Sequence, residues 1–278
     1  FKESSESCET WSTKHDSVPM SFAPQGRLHA KGAVPKLLKF LDDRPEDAKT
    51  RPVYAQLMLV DPHKPLMVKP EEFRPFESDE HTIAPYRAVL RRVDDAVRKL
   101  VNGLEERGMT KENTLVMVLS DHGEGLNMPQ HHGKQHGRIL YRSVMDSPWI
   151  VRGPGIKPGS RVSGLSSHVD VMPTVLALAG LSTKDEAMPG MDVSGALNSG
   201  GSTGRDAAYA DTWYFAANHA AVYGVDKVCQ KDFGTPSGIK IPTGCYHRGD
   251  DPDGTNVWDG AEESLMSQLE TTRLLEYL

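Results

Sequence analysis

Four of the chain's eleven histidines (His122, His131, His132 and His136) fall within fifteen residues, interleaved with Asp121 and Lys134. Carboxylate, imidazole and ammonium gathered this densely suit a divalent cation, an anion, or both. Asp121 offers a hard oxygen ligand, and His122 beside it offers a nitrogen. A second group stands apart at Asp61-Pro62-His63-Lys64-Pro65, where two prolines stiffen the loop that carries His63. A plainer reading exists for each. Asp-His-Gly can be a turn whose glycine takes positive φ, and a histidine-rich loop can simply be solvated. The context decides between them.

That context starts with the elements that lead into each group. Leu115 to Leu119 is an unbroken apolar run and reads as a strand buried on both faces, which ends at Ser120-Asp121-His122-Gly123. Ligand-binding groups of open α/β sheets collect at such strand ends. Val53 to Val60 is a second buried-strand candidate, delivering His63 in the same way. Between them, Tyr86, Val89, Leu90, Val93, Val97, Leu100, Val101 and Leu104 recur every three or four residues, which predicts a long helix over 82–107 ended by Gly108. Strand, helix, strand predicts a βαβ unit with a parallel pair. On this reading both loops leave carboxyl ends of one sheet, and Asp121, His122, His63 and Lys134 are expected to converge.

Further along, Val34–Asp43 reads as a short amphipathic helix, 139–144 as another, and Trp149-Ile150-Val151 as a strand. Asp170 is expected to cap a helix that Gly180 closes, with Pro173 in its first turn and His168 a structural loop residue. Residues 181–204 read as a surface loop. Short strands at 207–213 and 220–228 and a terminal helix at 265–278 predict a small antiparallel sheet. The expected organisation is an α/β domain over 1–204 and a C-terminal subdomain over 205–278.

Composition bounds the rest. With 278 residues and 38% hydrophobic content, a substantial core can form. A net charge of -6 gives no support for nucleic-acid binding, and no apolar run approaches the ~20 residues of a membrane span. Of three cysteines, Cys229 and Cys245 bracket a Gly/Pro-rich loop and could pair, leaving Cys8 over. The chain begins at Phe1 without a signal pattern and is expected to be a processed product or a fragment.

Taken together and in order, these segments resemble the C-terminal half of the sulfatase family, within the alkaline-phosphatase-like superfamily. The resemblance runs from about Val53 onward. It is carried by Asp61-Pro62-His63-Lys64-Pro65, the helix with Val93-Asp94 inside, and Asn113-Thr114-Leu115 leading to Ser120-Asp121-His122-Gly123-Glu124. It continues through Pro148-Trp149-Ile150-Val151, Gly153-Pro154-Gly155, Val169-Asp170-Val171-Met172-Pro173-Thr174, and the tail Cys245-Tyr246 to Asp251-Pro252. The resemblance implies a parallel-sheet alkaline-phosphatase-like α/β body with a small C-terminal antiparallel sheet and terminal helix, hydrolysing a sulfate ester with one divalent metal. Calcium is the first expectation, with Mn2+, Mg2+ or Zn2+ as alternatives, because nitrogen from His122 suits calcium less well. Asp121 and His122 would be metal ligands. Lys134, twelve residues past His122, would contact the sulfate, and His63 would contact the sulfate or the departing oxygen. His132 and His136 are expected at the substrate, as is His131 at the pocket rim. A sulfated small molecule or glycan is the implied partner, and an extracellular, periplasmic or lysosomal setting is expected over the cytoplasm.

The departure from the family is equally specific. Its nucleophile is a cysteine in Cys-x-Pro-x-Arg, oxidised to formylglycine, and none of the three cysteines here sits in that motif. Ser17-Val18-Pro19-Met20-Ser21 approaches it superficially but lacks the arginine and follows no strand. Half of an active site is therefore expected, with formylglycine upstream and no turnover by this chain alone. Two alternatives stay open: a phosphate or phosphonate ester hydrolase or transferase on the same fold, and a non-catalytic chain binding metal or sulfated glycans.

Overall fold

The computed structural model describes residues 30–77, 83–126, 136–137, 139–182, 187–213, 218–234, 243–249, and Ser267, Leu269 and Thr272. By internal contacts the chain divides into two units, Phe1–Thr110 and Lys111–Leu278. The boundary expected after residue 204 falls inside the second unit.

In the first unit, helix α1 (Ala30–Asp43) buries Ala30, Ala33, Val34 and Leu41, and is followed by the single turn α2 (Glu46–Lys49). After a stretch without regular structure come the single turn α3 (Pro70–Phe73) and the long helix α4 (Ala84–Glu105). Pro85 sits in the first turn of α4, where its missing N–H costs nothing. Ala30, Val34 and Ala96 make the core between α1 and α4, with Leu38, Leu57, Leu59 and Leu100 packed against it. A Cβ on Gly103 would lie 2.5 Å from Leu38 Cδ1, so this glycine lets the two helices approach.

Residues 53–60 take no regular secondary structure and belong to no ladder among the described residues. Leu57 and Leu59 turn to the helices while Tyr54 and Met58 are exposed. An alternating stretch gains strand character only from a neighbour alongside. The expected parallel pairing with 114–119 is therefore not among the observed ladders.

In the second unit, β1 (Val116–Leu119) pairs antiparallel with β2 (Trp149–Arg152), Val116 opposite Arg152 and Leu119 opposite Trp149. The one described helix between them is the single turn α5 (Arg142–Met145), too short for the crossover that a parallel pair requires. After β2, a 3-10 turn at His168–Asp170 leads into α6 (Val171–Leu178). Residues 194–199 form the short helix α7 (Ser194–Ser199) inside the stretch expected to be loop. Asp170 makes no capping bond to α6. Its fully buried carboxylate instead takes Nε and Nη2 of Arg205 and the backbone N–H groups of Ser167 and Met191.

The C-terminal sheet is antiparallel, as expected, in the order β3 (Ala207–Thr212), β4 (His219–Gly224), β5 (Lys227–Asp232), β6 (Gly244–His247). A turn at Val225-Asp226 divides what the sequence presented as one strand. One face, with Ala221, Tyr223, Val228 and Tyr246, packs on Ile139, Leu140 and Tyr141. The other buries Ala220, Val222, Cys229, Cys245 and the helical Leu269. Cys229 and Cys245 stand opposite one another on β5 and β6 and are joined by a disulfide. No helix among the described residues is long and apolar enough to cross a membrane.

Candidate active site

Strand β1 delivers Ser120-Asp121-His122-Gly123-Glu124 into a turn held by backbone. Gly123 N–H donates to Val144 O at 2.6 Å and Glu124 N–H to Ser143 O at 3.0 Å, fastening the turn to α5. A Cβ on Gly123 would sit 2.1 Å from Ser143 O, so only glycine allows this approach. Ser120 closes the turn, its hydroxyl donating to His122 O at 2.6 Å. His168 Nε2 donates to Ser120 O at 2.7 Å, which gives His168 the structural role expected of it.

His122 Nδ1 lies 2.6 Å from Gly123 O. A carbonyl can only accept, so Nδ1 carries a proton, and in the neutral ring Nε2 is the nitrogen with the lone pair. That nitrogen is 3.6 Å from Asp121 Oδ2, whose side chain is 87% exposed. A single ion with bonds of about 2.0–2.6 Å spans such a gap, and a backbone carbonyl on the far ring nitrogen is the usual way a ligating histidine is oriented. The two donors therefore fit a divalent ion. Among the described residues no group of three or more His, Cys, Asp or Glu is placed to hold one.

His136 stacks on His122, ring centroids 4.2 Å apart and tilted by 32°. Its Nδ1 faces Glu124 Oε2 at 3.4 Å, and Glu124 Oε1 accepts from Gly125 N–H at 3.0 Å. Glu124 is nearly buried, with a side chain 9% exposed. The sequence reading quoted Glu124 only as part of a motif. Its spacing of two from His122 was the available signal, since a carboxylate so close to two histidines has a partner within reach. On the far side, Thr212 Oγ1 donates to Gly137 O, so β3 of the C-terminal sheet fixes the residue that follows His136. Lys134, His131 and His132 lie outside the described residues, as does Ser17 to Ser21.

His63 belongs to the first unit. Its N–H donates to Val60 O at 3.1 Å, and its exposed ring places Nδ1 2.7 Å from Lys64 O, so this ring too carries its proton on Nδ1. Beneath it Asp61 is buried and paired with Arg92. A cavity of about 900 Å³ opens in this unit between α1, α4 and the turn at 70–76. His63, the candidate residue of this unit, does not line it, and we assign the cavity no part in the chemistry.

Residues 5–181 match the sulfatase family as a whole. The chain belongs to the sulfatase family. The match starts well upstream of Val53, where the motifs begin, and stops before the C-terminal sheet. Bovine N-acetylglucosamine-6-sulfatase is 38% identical over 104 residues, 36% of this chain and 17% of that enzyme. The solved structure of an enzyme in complex with its substrate, D-glucosamine-2-N,6-O-disulfate, superposes with a TM-score of 0.56 at 23% identity, covering 90% of this chain and 51% of the other. The phosphonate monoester hydrolase of Silicibacter pomeroyi superposes at 0.64 and 17% identity, covering 98% and 68%. The chain thus spans about a sixth of that curated relative and about half of the first of these structures. The likeness establishes the α/β, alkaline-phosphatase-like fold. Sulfatases as a family use a divalent metal and a formylglycine.

Proposed function

We propose that this sulfatase chain contributes the metal-completing and ester-binding part of a sulfuric ester hydrolase. One observation carries the reading: His122 commits its Nδ1 proton to Gly123 O and leaves Nε2 beside Asp121 Oδ2, 3.6 Å away. Asp121 and His122 would hold the divalent ion, Ca2+ first, with Mn2+, Mg2+ or Zn2+ as alternatives. When bound, such an ion polarises the ester oxygens. The chain's own groups do the rest. Lys134 neutralises charge on the equatorial oxygens, and His63, doubly protonated with its Nδ1–H held by Lys64 O, would donate its Nε2 proton to the departing alkoxide. Substrate contacts fall to His132 and to His136, whose ring Glu124 backs at Nδ1. The formylglycine nucleophile lies outside these residues. A sulfated glycan or small sulfate ester is the substrate class, in keeping with the glucosamine 6-sulfate chemistry named for the relatives. The Cys229–Cys245 disulfide favours an extracellular, periplasmic or lysosomal setting. The boundary after residue 204 we retain as a functional division, separating the ester-binding body from the sheet that braces it.

The test is calorimetry of purified 1–278 with glucosamine 6-sulfate and an aryl sulfate, with each metal and with chelator. Metal-dependent binding without turnover, lost in Asp121→Ala, is the expected result. Binding indifferent to chelator and to Asp121→Ala contradicts the reading. Metal-dependent turnover abolished by Asp121→Ala would place a nucleophile within the chain and overturn the half-site. The likeness to a phosphonate monoester hydrolase supports a second reading, in which an aryl phosphate or phosphonate ester outcompetes the sulfate in the same titration.

A further inference from the structure

The loop that carries His63 runs from Asp61 to Glu72 with no regular structure before Pro70. It is nonetheless tied down at three points by one side chain. Arg92, in the middle of α4, sends Nη1 to Asp61 Oδ1 at 3.1 Å, at the start of the loop. Its Nη2 reaches Met67 O at 2.6 Å, in the middle. Nε and Nη2 take both oxygens of Glu72, at 3.1 and 2.5 Å, at the end. The other oxygen of Asp61 accepts the backbone N–H of Ala30 at 2.6 Å, and Glu72 also accepts from Lys69 N–H and Lys31. The cluster is largely shielded: Asp61 is buried with its side chain 0% exposed, and the side chains of Arg92 and Glu72 are 9% and 18% exposed.

We propose that Arg92 is a positioning residue for His63, stapling the Asp61–Glu72 loop so that the imidazole two residues past Asp61 is presented in one orientation and one tautomer. Three features argue for positioning over plain stability. Arg92 interrupts the apolar stripe of α4, three residues after buried Val89 and four before buried Ala96, where an apolar side chain would pack at no desolvation cost. Its bonds go to the two ends and the middle of the Asp61–Glu72 segment, Glu72 standing in the single turn α3, and none is to α1. Only a planar fork with five donors reaches two carboxylates and a carbonyl at once, so lysine cannot replace it. The significance for catalysis rests on the proposed role of His63 at the ester.

The test uses the full chain, 15N-labelled, as wild type, Arg92→Lys and Glu72→Gln. Thermolysin reads the loop, cutting before Leu66, Met67 or Val68, whereas trypsin is silent because Lys64 and Lys69 each precede proline. The imidazole nitrogens of His63 are followed by NMR, with and without sodium sulfate at constant ionic strength. Wild type should keep its Nδ1 proton on Lys64 O throughout, and sulfate should shift Nε2 toward its protonated form. Arg92→Lys should raise loop cleavage about tenfold or more, average the two nitrogen signals and weaken the sulfate response, with unchanged far-UV circular dichroism. Glu72→Gln should do the same to a lesser degree and decides the matter if Arg92→Lys fails to fold. Protection and tautomer unaltered in both variants overturn the proposal. Variants that loosen the loop while wild-type His63 ignores sulfate overturn His63's place at the ester and leave Arg92 a loop anchor only.

Discussion

The two histidine loops are held by opposite means. The one with His63 is fixed from beneath by buried charge, through Arg92, Asp61 and Glu72. The one with Asp121 and His122 is fixed by backbone hydrogen bonds and a glycine that fits against Ser143 O, and its carboxylate stands in solvent. The difference matches the tasks we assign. A group meant to meet a substrate oxygen needs its orientation set in advance. A ligand meant to close on a cation gains by keeping its charge hydrated until the ion arrives, since burying it unpaired is expensive. Salt and pH should therefore act on the two loops differently.

The largest effect should come from Arg92→Met. Removing the cation leaves buried Asp61 and half-buried Glu72 without it, at a cost of about 3 kcal/mol. Denaturant titration is the measurement, and a loss under about 1 kcal/mol would mean the network is mere surface decoration. Opening the Cys229–Cys245 link by Cys229→Ala should cost about 3 kcal/mol for a sixteen-residue separation. Its loss should leave thermolysin cleavage at 66–68 unchanged, and increased cleavage there would tie the sheet to a loop we regard as independent. Next in size is Gly123→Ala, which drives a methyl into Ser143 O and should cost about 1–3 kcal/mol. It should also abolish metal-dependent changes at His122 without altering His63. Coupled loss at both would show that one framework sets both loops.

The smallest effect is with pH. Hydrogen bonds from Arg92, then from Lys69 N–H and Lys31, pull the Glu72 carboxyl from 4.5 down to about 2, against the opposing effect of burial. A depressed carboxyl pKa contributes stability that is whole above the unfolded value and fades as pH falls toward the folded one. Protection of the 66–68 backbone amides against hydrogen exchange should therefore hold above pH 4.5 and be lost between 4.5 and about 2. In Glu72→Gln that dependence should flatten.

How much of this could be read from the chain varies with the range of the interaction. Helix α4 was legible because eight apolar residues recur at helical spacing, and the Asp121-His122 turn because an apolar run stops there abruptly. Cys229 with Cys245 was legible as a possibility from spacing alone. The pairing of β1 was not, because an apolar run reports burial and says nothing of which strand lies alongside or in which direction. Asp170 was read as a helix cap, the nearest use for a carboxylate before an apolar run. Its actual partner Arg205 is thirty-five residues away. Arg92 was missed for the same reason, since Asp61 lies thirty-one residues off. Its position within the apolar stripe was the clue, because a charge placed there must find buried partners.

The central claim is that Asp121 and His122 hold the ion, and paramagnetic Mn2+ tests it most directly. Added in small steps to 15N-labelled chain, it should broaden the His122 imidazole first and His136, stacked upon it, next. An affinity of roughly 10⁻⁴–10⁻³ M is expected from so few protein ligands. In Asp121→Ala the same additions should leave His122 sharp. Broadening that begins elsewhere, or that persists at His122 after Asp121→Ala, would contradict the account.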